Sequence, residues 1–461
     1  MTTLKRAVWL LILLLGFLSA GGGSRTAHAH TINAWVISSG GKAGWRKING
    51  SLRPIESLRF GDFDGNGKAD VFSSWGGKWY VSYDGTGQWT RINSSQVAIE
   101  NLRFGRFDNN NKTDVFTAWG GKWYVSYDGT GQWTNINSSQ VPISDLLFGN
   151  FVGNTKTDVL AAWGGKWYVS ESGTGGWQQI NSSSYGTASL RAGKFRGEYG
   201  NDAFKHDIFR TDGSKWYVSY DGTGQWTYIN ASNIALSDLG FADFDGDGLT
   251  DIFAAWGGSW YVSEDGTGTW EKLNTSNVGR GQLRFADFDG DRKADVFNVA
   301  AEAHIGLSII RHTSTPLDDA TADAILASAT NVLQTVDGPG DVTCLAHLSR
   351  SGAVTVFTLG DGSIDSAAEE SAVRALPGFV KVVNMINFCG EIKAVSGCAP
   401  SPGSSMTLAR TTADLEGAMW LHEYGHTRGL GHSDDSDYVM FKTVTSQALR
   451  VSASECNSYR K

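Results

Sequence analysis

The stretch that decides the fold is residues 78–89, which read KWYVSYDGTGQW and recur along the chain with a period of 44 residues and one five-residue insertion between the fourth and fifth aspartate-rich segments. The tryptophans that open and close it, Trp79 and Trp89, return in the later copies. They return as Trp123, Trp167, Trp216 and Trp260, and as Trp133, Trp177, Trp226 and Trp270. Each copy alternates aromatic or β-branched residues with polar ones between glycine turns, which predicts a small antiparallel sheet of about four strands. Such a period, with four strands in each unit, is typical of a β-propeller.

The two ends of the array carry unpaired halves of this repeat. Residues 34–38 and Trp45 match the tryptophan half, but no aspartate-rich half precedes them. The last aspartate-rich half, residues 287–297, has no tryptophan half after it. Because the two halves complete one another, we expect a ring of about six blades, one of them built from both ends so that no sheet edge stays open. A linear solenoid, or a seven-bladed ring with one unrecognised blade, is the alternative.

An aspartate-rich loop opens each repeat. In three copies, oxygen-bearing side chains stand at positions 1, 3, 5 and 9 of a glycine-containing loop: Asp62, Asp64, Asn66 and Asp70; Asp243, Asp245, Asp247 and Asp251; Asp287, Asp289, Asp291 and Asp295. Clustered hard oxygen ligands in a flexible loop suit Ca²⁺, so these loops are predicted structural calcium sites. The other copies begin with Arg106, Asn150 and Lys194, and we expect them to bind no ion. The repeats resemble the FG-GAP and VCBS repeats of propellers, which implies calcium held between strands.

Near the C-terminus, residues 422–432 read HEYGHTRGLGH. On a helix His422 and His426 share one face, one turn apart, so both can reach one metal ion. Glu423 beside them can act as general base on a water molecule. Gly429 can end the helix in a left-handed turn that returns His432 to the metal. Three histidines with one open position are the ligand set of a catalytic zinc ion.

This motif, followed by Met440 eight residues after its last histidine, resembles the metzincin family of zinc endopeptidases and its matrixin branch in particular. The resemblance implies a methionine-containing turn at residues 438–441 beneath the zinc ligands. No cysteine-switch propeptide precedes the domain, and Lys442 stands where some other branches place a tyrosine ligand. A purely structural zinc site, or an inactive copy of an enzyme, is the alternative interpretation.

Residues 1–29 have the composition of a signal peptide. A basic start precedes an apolar run over residues 7–18, and small residues stand at positions 27 and 29. We expect cleavage after Ala29, with a cut after Ala20 as the alternative, and hence a secreted, extracellular protein. The apolar run is too short for a comfortable membrane span. Removal of this segment, which holds three basic residues and no acidic one, takes the formal charge from −8 to −11 and argues against nucleic acid as a partner.

All four cysteines fall in the C-terminal part, which in an exported protein predicts two disulfides with three possible pairings. We prefer Cys389 with Cys398, because this pair closes a short glycine-containing loop, and therefore Cys344 with Cys456. The other pairings stay open. Strand-like runs and a helical spacing over residues 318–336 predict a mixed α/β catalytic domain over 301–461, after a propeller over 30–300.

Three functions are consistent with this organisation. The first is a secreted zinc metalloendopeptidase that hydrolyses protein or glycoprotein substrates, with a calcium-binding propeller that targets it to a substrate or a surface. The second is a lectin or adhesin with a secondary or silent protease domain, since aromatic turns such as residues 83–87 repeat along one rim and suit a glycan or cell-surface ligand. The third is a zinc hydrolase that acts on something other than a peptide.

Overall fold

The computed structural model describes residues 28–197, 205–335, 343–390, 392–446 and 449–461. The predicted signal peptide lies outside the described residues, except for its last two positions, which begin strand β1, His28–Ser38. Within these described ranges, no helix has the length and apolar character needed to cross a membrane.

The chain divides into two compact units. We call one the propeller unit; it consists of Ala29–Ile305, Thr330–His347 and Ser433–Lys461. The other, the histidine unit, consists of Gly306–Ala329 and Leu348–His432. The division differs from a single boundary at residue 300, because two later segments group with the propeller.

The propeller unit contains six antiparallel sheets with a common core of four strands. Five of them are continuous in sequence. Their strands are β3–β6 (Leu58–Gly61, Asp70–Trp75, Lys78–Ser82, Thr90–Ser94), β7–β10 (Arg103–Gly105, Asp114–Trp119, Lys122–Ser126, Thr134–Ser138), β11–β14 (Leu146–Gly149, Asp158–Trp163, Lys166–Ser170, Gln178–Ser182), β15–β18 (Arg191–Gly193, Asp207–Thr211, Lys215–Ser219, Trp226–Ala231) and β19–β22 (Gly240–Ala242, Asp251–Trp256, Ser259–Ser263, Glu271–Thr275). The sixth joins both ends of the array in the order β2-β1-β24-β23, with β2 Arg46–Gly50, β23 Leu283–Ala286 and β24 Asp295–Leu307.

Contacts between neighbouring blades repeat six times and close the ring. The carbonyl of Asp62 accepts the N–H of Thr113 in the next blade at 2.6 Å, and the equivalent bonds continue until Asp287 of blade 6 accepts the N–H of Ala69 in blade 1 at 2.6 Å. Edge-to-face tryptophan pairs run around the same circle and end with Trp35 of blade 6 against Trp89 of blade 1. The β-propeller prediction is confirmed, with six blades, and both the solenoid and the seven-bladed ring are wrong.

Aromatic side chains fill the seams between blades. Trp79 is fully buried and lies edge-on to Phe72 of its own blade and to Trp133 of the next. The residues at the start of the second strand are buried because neighbouring blades cover both faces of the sheet. Burying one large apolar side chain stabilises the fold by about 1.5–3 kcal/mol, so the repeated tryptophans account for much of the ring's stability.

The histidine unit is built on a mixed five-stranded sheet in the order β27-β25-β29-β32-β31. Its strands are β25 Ile309–His312, β27 Thr355–Phe357, β29 Val380–Val383, β31 Gly397–Cys398 and β32 Met406–Ala409. The first four strands of that order run parallel, and β31 pairs antiparallel with β32 at the edge. The remaining strands are β26 Ala346–Arg350, which pairs with β24, and a parallel pair of β28 Ser363–Ile364 and β30 Met385–Ile386.

The described residues form four α-helices: α1 Asp319–Gln334, α2 Ala367–Ala375, α3 Ala413–Thr427 and α4 Ala453–Tyr459. Helical spacing predicted α1 and α3, and it missed the two shorter helices. α4 begins with a capping box in which Ser452 accepts the N–H of Glu455 and the Glu455 carboxylate accepts the N–H of Ser452.

The structure confirms the preferred pairing of the cysteines. Cys344 is bonded to Cys456 within the propeller unit, and Cys389 to Cys398 within the histidine unit. The second bond joins the edge strand β31 to the chain nine residues earlier, so it holds that short strand in place.

Candidate functional site

Three histidines meet at the C-terminal end of α3. His422 and His426 stand on the helix, and His432 follows its end. The ring centroids of His422 and His426 are 4.7 Å apart, those of His422 and His432 5.3 Å, and those of His426 and His432 4.8 Å. One ligand nitrogen of each lies within 4.8 Å of the other two. The structure therefore brings the three predicted ligands together closely enough for one ion to contact all of them.

The turn after α3 fixes the orientation of one ligand. Gly429 has φ +85°, the left-handed conformation that lets the chain reverse. The carbonyl oxygen of Leu430 then lies 2.9 Å from Nδ1 of His426. A proton on Nδ1 donates to this carbonyl and leaves the Nε2 lone pair for a metal. Burial also lowers the pKa of His426, which favours the neutral ring that a metal requires.

Two ligand nitrogens face each other. Nε2 of His426 is 3.1 Å from Nε2 of His422. An imidazole nitrogen that carries no proton bears a lone pair, and two such lone pairs repel each other. The approach is therefore favourable when a proton or a cation lies between the rings. The donor set of three imidazole nitrogens suits zinc.

Glu423 lies buried beside the histidines. Its side chain is 5% exposed and covers Gly397 of the edge strand β31. A Cβ on Gly397 would lie 2.5 Å from both Cγ and Cδ of Glu423, so only glycine leaves room for this carboxylate. Oε2 of Glu423 makes no hydrogen bond to any described residue. Burial raises the pKa of Glu423 to about 8, and a cation held by the neighbouring imidazoles would oppose that shift.

The beginning of α3 is held by an ion pair that sequence reasoning missed. Thr412 is the N-cap residue of α3, but its side chain forms no capping hydrogen bond. Instead Arg410 donates from Nη2 to Oε2 of Glu416 at 3.0 Å and from Nε to Oε1. Glu416 is 2% exposed, and a buried carboxylate requires such a partner. The pair fixes the helix that carries His422.

The end of α3 packs through an aromatic and cationic cluster. Tyr424 is fully buried, and the guanidinium carbon of Arg428 lies 4.6 Å from its ring centroid. Phe379 lies 6.0 Å from the same ring. The spacing of Tyr424 and Arg428, four residues apart on one helix, is the signal that could have predicted this contact.

Met440 belongs to the propeller unit and is 1% exposed there. Its carbonyl accepts the N–H of Ser433 at 2.7 Å, and Ser433 and Phe441 form a parallel bridge. These contacts form a compact buried turn at the predicted position. Its role as support for the zinc ligands stays a prediction.

The predicted calcium loops form compact turns in blades 1, 5 and 6. Asp62 accepts the N–H of Gly65 through Oδ1 at 2.7 Å and that of Gly67 through Oδ2 at 2.9 Å. Asp243 and Asp287 accept equivalent pairs of backbone N–H groups. Local backbone donors therefore already offset part of the expected repulsion between carboxylates. In blades 1 and 5 the position-1, position-3 and position-9 carboxylates lie within 4.8 Å of one another.

The aspartate at position 9 has a structural role in every blade. Asp70 is fully buried and accepts the N–H of Phe63 at 2.7 Å and that of Asp84 at 2.7 Å. The same two bonds are made by Asp114, Asp158, Asp207, Asp251 and Asp295. Burial raises the pKa of Asp70 to about 6. Because the blades predicted to bind no ion keep this residue, its first task is to join the loop to the next hairpin.

A further carboxylate approaches two of the loops from that hairpin. Asp265 in blade 5 adopts φ +53°, and its pKa is raised to about 6 by burial first and then by Asp247 and the neighbouring acids. In blade 1 the equivalent Asp84 accepts the Nδ2–H of Asn66 at 2.7 Å. Blade 6 has Gly40 at this position. Sequence reasoning missed these residues because they lie downstream of the loop, across a hairpin.

Blade 2 differs from expectation. Its loop begins with Arg106, and the sequence predicts no ion there. The structure nevertheless places carboxylate oxygens of Asp108, Asp114 and Asp128 within 4.8 Å of one another. The hairpin carboxylate of Asp128 thus lies near the loop in a blade whose position 1, Arg106, offers no oxygen.

The aromatic surface of the propeller lies elsewhere than predicted. Tyr83 of the predicted rim turn is partly buried and packs into a seam between blades. The exposed ring is instead Trp163, 41% exposed and stacked on Tyr168 with centroids 3.9 Å apart. It lines a cavity of about 610 Å³ together with Trp177 and Gln140. Trp119 and Trp256 are exposed in the same way in other blades.

Comparison with known proteins bears on the repeats. A family model described as an FG-GAP-like repeat matches residues 243–297. None of the curated proteins matches the chain. The chain is similar to a solved lectin of Agrocybe aegerita described as recognising non-reducing terminal N-acetylglucosamine, at 15% identity over 59% of this chain and 85% of the lectin, with a TM-score of 0.40. It is also similar to YCF48 from Cyanidioschyzon merolae, at 17% identity over 59% of this chain and 97% of that protein, with a TM-score of 0.31.

A third similar structure is archaemetzincin from Methanopyrus kandleri, at 14% identity over 34% of this chain and 93% of that protein, with a TM-score of 0.25. Identities and scores at this level carry no conclusion about activity or ligand. Together, the matched repeat and the closed ring of six sheets show that the chain contains a β-propeller with FG-GAP-like repeats.

Proposed function

We propose that this protein is a zinc-dependent endopeptidase of the metzincin type. The observation that carries the proposal is Oε2 of Glu423, a buried carboxylate oxygen without a partner among the described residues, next to three converging imidazoles. A structural zinc site closes its fourth position with a protein ligand. The histidine cluster includes no fourth histidine, cysteine or carboxylate among the described residues, which favours an open catalytic position.

The roles follow from the positions of the side chains. His422, His426 and His432 would hold zinc, which when bound polarises a carbonyl group and lowers the pKa of a water molecule. Glu423 would accept a proton from that water at Oε2 and later deliver it to the leaving amine. β31 is the outermost strand of its sheet, and its free edge can pair with an extended peptide. Because Gly397 on this strand lies against Glu423, a peptide bound there would run close to the base.

The test is cleavage of casein and of a random peptide library by the full chain, with zinc content measured on the same preparations. Wild type should cleave and carry about one zinc per chain, and Glu423→Gln should keep the zinc and lose cleavage. A zinc-loaded wild type that cleaves no peptide would contradict the peptidase proposal and leave the third function, hydrolysis of a non-peptide substrate. Equal cleavage by wild type and Glu423→Gln would contradict the role of Glu423.

We also propose that the loops at Asp62, Asp243 and Asp287 hold Ca²⁺. The supporting observation is the convergence of carboxylates in the turns of blades 1 and 5, with Asp265 as an additional ligand in blade 5; the loop at Asp287 has the same residue pattern. Calcium in these loops would stiffen turns that lie on either side of the point where the ring closes.

Glycan binding by the propeller is a second candidate function. It is supported by the flat, exposed face of Trp163 at the mouth of a cavity that also contains the polar side chain of Gln140. Exposed aromatic faces beside a few polar groups suit the apolar face and the hydroxyl groups of a sugar ring. Binding of the full chain to a glycan array should fall in Trp163→Ala and persist in Trp163→Phe. Equal binding by all three proteins would remove Trp163 from the proposal.

The last part of the proposal is that the protein is exported from the cell. The N-terminal pattern of residues 1–29 predicts it, and both disulfides are compatible with an oxidising extracellular environment.

A further inference from the structure

The first strand of each blade lies on the inner side of the ring, where it adjoins the first strand of a neighbouring blade. Several of these innermost strands carry an arginine that the functions proposed above do not use. Arginine stands at the same position of the first strand in blades 1, 2, 4 and 6, as Arg59, Arg103, Arg191 and Arg284. Blade 3 has Leu147 at this position. Blade 5 has Gly240, where a Cβ would lie 3.0 Å from Nε of Arg280. Cε2 of Phe285 would lie nearer still, so Phe285 and Arg280 together fill the space that glycine leaves. With Arg280 the ring contains five guanidinium groups.

Backbone carbonyls fix the direction of these side chains. Nη1 of Arg59 donates to the carbonyls of Glu56 and Leu58 at 2.9 and 2.8 Å. Arg103, Arg191 and Arg284 make the same two bonds to the starts of their own strands. Arg280 donates from Nε to the carbonyl of Leu239 at 3.1 Å. Each group is thus anchored through part of its donors, and the others remain for a further acceptor.

The five groups lie close enough to repel one another. Burial lowers the pKa of Arg59, and Arg284 and Arg103 lower it further. Burial lowers the pKa of Arg280 to about 10, and Arg284 and Arg191 add to this effect. The arginines therefore lower one another's pKa in a continuous series that runs from blade 2 through blades 1 and 6 to blade 4.

Protein carboxylates offset this charge only in part. Among the described residues none comes within 4.0 Å of these guanidinium groups to form an ion pair. Glu56, Glu100 and Asp238 act on them from greater distance and are themselves exposed. In a chain with a formal net charge of −8, an unpaired and half-buried cluster of five cations is unusual.

We propose that Arg59, Arg103, Arg191, Arg280 and Arg284 form a binding site for a small multivalent oxyanion, a phosphate or sulfate ester, at one end of the ring of innermost strands. Planar guanidinium groups with free N–H donors match the oxygens of phosphate and sulfate, and several such groups around one point favour a ligand with several charges. The acidic character of the whole chain disfavours nucleic acid as the occupant. The site is independent of the zinc and calcium proposals.

The test is isothermal titration calorimetry on the full chain with sucrose octasulfate as the sulfate probe and tripolyphosphate as the phosphate probe. Sucrose in buffer of matched ionic strength is the control ligand. Arg284→Gln should weaken binding of the preferred probe by about tenfold, the expected effect of one charge-assisted hydrogen bond. The matched control is Arg91→Gln, which removes an exposed arginine of the same blade array outside the ring and should bind like wild type.

A gain-of-function variant guards against a folding defect. Leu147→Arg adds the sixth arginine in the one blade that lacks a side-chain cation at this point, and it should tighten binding about tenfold. The probe that binds more tightly shows whether the site prefers sulfate or phosphate groups. Binding that is absent in wild type, or that is equal in Arg284→Gln, Leu147→Arg and Arg91→Gln, would overturn the proposal. A heat signal that is equal in all three variants would instead come from metal ions bound by the probe, because that reaction does not depend on the arginines.

Discussion

Replacing Gly397 by alanine tests how the proposed general base is held. The new Cβ would lie 2.5 Å from Cγ and Cδ of Glu423, whereas carbon atoms in contact are normally about 3.5 Å apart. Because Glu423 is only 5% exposed, its carboxylate must shift by about 1 Å rather than swing into solvent. A misplacement of about 1 Å can lower a reaction rate about 100-fold. We therefore expect kcat to fall about 100-fold, with KM changed much less.

The assay is steady-state cleavage of a peptide selected from the library, with zinc content and thermal unfolding measured on the same protein. Zinc content should match wild type because the three atoms nearest to the new Cβ all belong to Glu423 and none belongs to a histidine. The free energy of unfolding should fall by about 1–3 kcal/mol, as at other overpacked sites. The matched control is Gly431→Ala, whose Cβ would meet nothing within 4 Å, and it should cleave like wild type. Unchanged kcat in Gly397→Ala, or a fall that comes with lost zinc, would refute the reasoning.

Two further predictions separate the metals. Glu423→Ala should keep its zinc while hydrolysis falls by several orders of magnitude, whereas His432→Ala should lose zinc as well as activity; metal analysis beside the cleavage assay checks both, and zinc retained by His432→Ala would exclude that ligand. Calcium should raise the melting temperature of the full chain, since binding to the folded state alone stabilises it by about 2.7 kcal/mol per site at a hundredfold excess over Kd. Asp243→Ala and Asp287→Ala should each reduce that rise and Asn150→Ala should not; a wild type that calcium leaves unchanged would exclude the sites.

The repeat made the propeller predictable from sequence. A 44-residue period with one insertion places the tryptophans of the repeats, and the two orphan halves at residues 34–38 and 287–297 complete one another in a single blade. Ring closure therefore followed from counting half-repeats. The cysteine pairing was indicated by the short glycine-containing loop that Cys389 and Cys398 close, although the sequence left the other pairings open.

The convergence of the three histidines was equally predictable, because helical periodicity places His422 and His426 on one face and Gly429 reverses the chain. The surroundings of Glu423 were not. Its contact with Gly397 joins a helix to an edge strand of two residues, and no local pattern specifies which glycine of an irregular segment will lie beneath a carboxylate. The ion pair of Arg410 and Glu416 is likewise set by tertiary packing.

The aspartate-rich loops contain hydrogen bonds that the sequence did not reveal. Treating all four oxygen-bearing positions as calcium ligands assumed that close carboxylates have no other partner. Asp62 accepts two backbone N–H groups, and Asp70 accepts two more, from the loop and from the following hairpin. Asp158 makes the same bonds in a blade whose loop begins with an amide, so these bonds do not require a carboxylate at position 1. Calcium would then add to a turn that is already hydrogen-bonded. Its contribution should depend on the position-1 and position-3 carboxylates and on the hairpin residue Asp265, whereas loss of a position-9 aspartate should destabilise every blade alike, with or without calcium.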